Sequence, residues 1–80
     1  MYDIKNHGTL IATVQRIDGS ERVGYLYRCD DGAHRIATFT MRMECTVIGV
    51  AVRSADRSHW ACGSLRWKEV SSRSFEVRPL

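Results

Sequence analysis

Three histidines, three cysteines and two adjacent aspartates are the residues in this chain whose types could do chemistry. His7, His34 and His59 could act as general acid or base, but none stands in the signature of a nucleophile. A histidine among apolar neighbours is usually structural. Asp30 and Asp31 could work as paired carboxylates. Followed by Gly32, they are far more often a turn or a helix cap. His59-x-x-Cys62 has the spacing of half a zinc site, yet no second pair lies nearby, and structural zinc takes four tetrahedral ligands. The six glycines stand singly, so no phosphate-cradling loop is present. The residue types predict no catalytic site, no metal, no cofactor and no small-molecule substrate.

The chain has 80 residues, enough for one small domain spanning 1–80, with a core just large enough to fold unaided. Cys29, Cys45 and Cys62 are an odd number at wide spacing. The N-terminal "MYDIKNHGTLI" lacks the basic and apolar regions of a signal peptide. Reduced thiols are expected, and so is residence in the cytoplasm. No apolar run reaches the ~18 residues of a membrane-spanning helix. The net charge is only +3, but ten of the twelve basic residues are Arg, whose planar fork suits carboxylates and phosphates. Tyr25, Tyr27, Trp60 and Trp67 have basic neighbours in "YLYRC" and "LRWKEV", a pattern a single-strand binding platform would share. Plain packing accounts for the same residues, since two Trp are welcome in a small core.

The elements that must position these residues are mostly strands. "GTLIATVQRI" alternates apolar and polar residues, "DGSE" (18 to 21) is turn chemistry, and "RVGYLYRC" completes a hairpin. "DDGAHRIATFTMRMEC" (30 to 45) is ambiguous. It alternates from Ala37 to Val47, but carried on to Val52 the pattern would need a strand far longer than the usual ~3–10 residues. On a helical wheel Ala33, Ile36, Ala37, Thr40, Met41 and Met43 share one side, with Asp31 at the N-cap position. A helix over 32–44 is therefore expected, and a second hairpin is the rival. "CTVIGVAVRS", "HWACG" and "LRWKEV" read as further strands, with a last one around Phe75 to Val77. The resulting expectation is an α+β domain, an antiparallel sheet of five or six strands with one helix packed on one face.

With this layout, "VQRIDGSERVG" (14 to 24), "AHRIA" (33 to 37), "TV" (46 and 47) and "RW" (66 and 67) resemble the small phage anti-CRISPR proteins of type I systems. The likeness is to the type I-F inhibitors that sit on the backbone subunits of the Cascade surveillance complex. It runs over about residues 10 to 70 with small gaps. The resemblance implies a helix at the "RIA" segment and basic helix residues presented to Cascade, on ground the target DNA needs. It also implies weak nonspecific DNA binding, and a protein that works in the cytoplasm of the bacterial host. Arg35 matches the basic position before "IA", and His34 matches its basic neighbour. A third basic position falls on Phe39, with Arg42 one turn away. Gln15 matches the strand position in "VQ", and Arg16 stands where the relative has a neutral polar residue. Such departures fit a partner of another type I subtype. His34, Arg35 and Arg42 would lie within about 80° on a helix, so one partner surface could meet all three.

Overall fold

A short helix and six strands make up the computed structural model, which describes residues 2–71. Helix α1 is Ile4–His7, and the strands are β1 Gly8–Arg16, β2 Val23–Cys29, β3 His34–Phe39, β4 Cys45–Arg53, β5 Trp60–Cys62 and β6 Leu65–Ser71. Each strand pairs antiparallel with the next, and β6 returns to β1 to close a barrel. Closure removes most of the free sheet edge that an open sheet would expose. The strand expected around Phe75 to Val77 lies outside the described residues.

The helix expected over 32–44 is absent, and with it the α+β arrangement. The segment is β3, hydrogen-bonded to β2 on one side and β4 on the other. Asp31 does not cap a helix. Its Oδ1 accepts the Ala33 N–H at 3.1 Å, while Gly32 takes a φ of +89°, so Asp30-Asp31-Gly32 reverses the chain. The alternation from Ala37 is real strand periodicity, broken by a turn at 40–44 and by a register shift between Ile36 and Ala37. Pairing on both edges outweighed the helical preference of Ala, Arg, Met and Glu, a preference worth only tenths of a kcal/mol per residue.

The sheet is packed on both sides. Inside the barrel, Ala12, Val14, Leu26, Ile36, Ala51, Trp60, Cys62 and Trp67 form the main core. On the outer side, Ile4 of α1 packs with Cys29 and Ala37, joined by Tyr2, Tyr27, Cys45 and Val47. Gly24 is required by close approach: a Cβ there would stand 3.0 Å from both Ile36 Cγ2 and Trp67 Cζ3. Among the described residues, β6 pairs with β1 from Thr13 to Arg16, with a register shift between Thr13 and Val14. All three cysteines are free, Cys29 and Cys62 buried, and burial pushes the Cys62 thiol up from its ordinary value. Among the described residues, no helix is long and apolar enough to cross a membrane, and no group of His, Cys, Asp or Glu gathers to hold a metal.

The turns are held by carboxylates. Asp56 Oδ1 accepts from the Ser58 hydroxyl (2.7 Å), the Ser54 hydroxyl (2.8 Å) and the Ser58 N–H (3.0 Å), and these bonds hold its carboxyl down to about 2. Asp3, Asp18 and Asp31 are also lowered, chiefly by the Asn6 side chain, the Ser20 N–H and the Arg35 guanidinium respectively. An unfolded carboxyl titrates near ~4, so between there and the folded values the unfolded chain binds more protons. Stability from these groups is fully present above about pH 5 and is lost as pH falls from about 4 toward 2. The melting temperature should be flat from neutral pH to 5 and then drop, and Asp56→Asn should make that drop shallower. A melting temperature that rises on acidification would contradict this assignment.

Candidate functional site

The residues that the sequence grouped on one helix face are separated by the strand. His34 and Arg35 are neighbours on β3, so their side chains leave on opposite faces of the sheet. The His34 ring lies 4.9 Å from the Trp60 ring. Arg35 is on the outer face, with Nη1 and Nη2 donating to the two Asp31 oxygens at 3.1 and 2.9 Å and its guanidinium 3.8 Å above the Tyr2 ring. Arg42 lies in the turn after β3, exposed. Gln15 and Arg16 end β1, Gln15 half-buried opposite Val23 and Lys68, and Arg16 bonded to Asp18. In this meander β1 and β3 run the same way. The end of β1 and the turn after β3 therefore share one end of the barrel, while His34 and Arg35 start β3 at the other.

Three arginines have the same surroundings, an aromatic ring on one side and a carboxylate on the other. Arg16 has Trp67 and Asp18, Arg35 has Tyr2 and Asp31, and Arg53 has Trp60 and Glu69. The Asp31 hydrogen bonds raise the Arg35 guanidinium above its usual range, as they lower the carboxyl. Each pair cancels its own charge, and Trp60 and Trp67 are both buried. This weighs against reading the Arg and aromatic residues as a basic stacking platform, which needs open rings beside uncompensated cations.

The outer face of β1, β2 and β3 is different. Leu10, Tyr25, Tyr27, Phe39 and Met43 line an apolar groove of about 500 Å³, in which Tyr25 and Phe39 meet edge to face at 5.4 Å. Ile17, Val23, Met41 and Met43 continue the apolar surface around that end, Met41 fully exposed and Met43 67% exposed. The turn that carries the methionines is built by Thr40. Its Oγ1 accepts the N–H groups of Arg42 and Glu44, and its carbonyl accepts that of Met43. Met43 then takes a φ of +64°, the left-handed position that glycine usually fills in such hairpin loops. Sequence reading placed Met41 and Met43 on a packed face. The available signal was Thr40 followed by five non-β-branched residues, Met41 to Cys45, between two β-rich runs, which marks a break rather than a continuation.

A non-glycine residue in the left-handed region costs roughly 1 kcal/mol or somewhat more. Met43→Gly should therefore stabilise the fold by about 1 kcal/mol and raise the melting temperature by roughly 4–8 °C for a domain of this size. A lower melting temperature would show that the Met43 side chain stabilises the turn more than its backbone strains it.

No protein family, curated protein or solved structure matches this chain.

Proposed function

We propose that this domain works by binding rather than by catalysis, docking a protein partner through its methionine-bearing end and the groove behind it. The observation that carries the reading is Met43, an exposed apolar side chain at a position where the backbone favours glycine. Strain retained beside an exposed apolar patch points to use. Methionine and aromatic residues suit such a surface, because Met adapts to irregular shapes and rings supply large rigid area.

The partner we propose is the backbone of a type I CRISPR surveillance complex. The support is the resemblance over residues 14 to 24, which the chain folds as the β1–β2 hairpin; the part of the resemblance that implied a helix lends no support. A small domain lodged against guide-bearing subunits excludes the target strand sterically, and needs only the ~800 Å² per partner of an ordinary interface. The test is retention by purified type I complexes of several subtypes, with naked DNA as control. Saturable binding to a complex supports the proposal. Binding to DNA alone, falling steeply with salt, would replace it with a nucleic-acid-binding module.

A further inference from the structure

Among the described residues, the sulfur atoms presented most openly to solvent are those of Met41 and Met43. Met41 is fully exposed and Met43 is 67% exposed, more than any other exposed large apolar residue described. The thiols are better shielded: Cys29 and Cys62 are each 4% exposed, and half-buried Cys45 packs against the cluster of Ile4, Cys29 and Ala37. Exposure governs which sulfur an oxidant reaches, so the turn at 40–44 is an oxidant's natural target. The turn itself leans on neither thioether. Thr40 Oγ1 accepts the N–H groups of Arg42 and Glu44, the Thr40 N–H donates to the Glu44 carbonyl, and the Met43 N–H donates to the Thr40 carbonyl. The chemistry of the two side chains therefore changes the surface without loosening the hairpin.

We propose that Met41 and Met43 are a reversible oxidation site that switches the docking end off. The oxidant is a hydroperoxide. A sulfur lone pair attacks the peroxide oxygen, an S–O bond forms as the O–O bond breaks, and the departing hydroxide takes the proton of the transferred hydroxyl to leave as water. Each thioether gives up two electrons and becomes a sulfoxide. Two thiols of a methionine sulfoxide reductase reverse the step, removing the oxygen as water and closing to a disulfide. A sulfoxide oxygen buried unpaired against apolar contacts is costly, so the oxidised turn opposes docking. Ile17, Val23 and Phe39 are hydrocarbon side chains and keep the rest of the patch apolar in both states. The effect on binding rests on the docking function proposed above; the oxidation itself does not.

The test is peroxide treatment of the whole protein, a wash with thiol alone, and then treatment with methionine sulfoxide reductases of both stereospecificities. Trypsin cuts after Arg42 and so places the two methionines on separate peptides, 36–42 and 43–53. Each peptide should gain the mass of one oxygen, keep it through the thiol wash and lose it to the reductases. The melting temperature should stay within a few degrees, and retention on a phenyl resin should fall and recover in step with the oxygen. Affinity for a purified type I complex should fall at least about tenfold and recover in the same way. If the untreated protein binds no such complex, the docking function fails, and the peptide masses and resin retention alone decide the oxidation site. Unmodified methionine peptides in the folded protein, unchanged retention or affinity with both sulfoxides present, or a loss reversed by thiol alone, which would assign it to Cys45, would each overturn the proposal.

Discussion

Trp67→Ala should cost about 3–5 kcal/mol, the range for deleting a fully buried aromatic residue. Trp67 is 1% exposed, lies across from Trp60 in the β5–β6 pair, reaches Gly24 on β2 and carries the Arg16 guanidinium over its ring. It therefore joins β1, β2, β5 and β6. Domains of this size lie toward the lower end of the usual 5–15 kcal/mol. The variant should show a urea midpoint far below the wild type, or no cooperative transition. Trp67→Phe should cost much less. It keeps a ring in place and removes an indole N–H that finds no acceptor among the described residues, a buried group that itself costs about 1–3 kcal/mol. A Trp67→Ala transition within 1 kcal/mol of wild type would mean the interior is not organised around this residue.

Met41→Glu combined with Met43→Glu should separate binding from folding. Both side chains are exposed, so the double variant should melt within a few degrees of wild type. At a docked surface two carboxylates would be buried against apolar contacts without partners, which costs several kcal/mol. Affinity for the partner should fall at least about a hundredfold, since every 1.4 kcal/mol is a factor of ten. Titration calorimetry beside a thermal melt reads both quantities. Unchanged affinity in the folded variant would place the interface elsewhere on the barrel.

Most strands were legible in the sequence, because β1, β2, β4, β5 and β6 carry period-two patterning or β-branched and aromatic runs bounded by turn residues. Strand β3 was not. Its six residues contain one buried β-branched side chain, Ile36, and the rest suit a helix locally. What makes it a strand is hydrogen bonding to β2 and β4, neighbours that no local window contains. The same error carried into the site. A helix would have gathered His34, Arg35 and Arg42, whereas the strand sends the first two to opposite faces and leaves Arg42 on a turn. Closure of the barrel depends on β1 meeting β6 across more than fifty residues, a pairing with no local signature. The methionine turn was hidden for a related reason: apolar residues at alternate positions look buried until a partner strand sets which positions lie beyond the sheet.

The most direct test of the docking end is hydrogen exchange of the domain, alone and with purified type I surveillance complexes. Slowed exchange confined to Ile17–Tyr25 and Phe39–Glu44 is the predicted result. Those segments form the two hairpin ends around the groove, while β5 and the turn at 54–59 should exchange as in the free protein. Absence of a complex with every type I subtype, or protection centred on β4 and β6 instead, would contradict it.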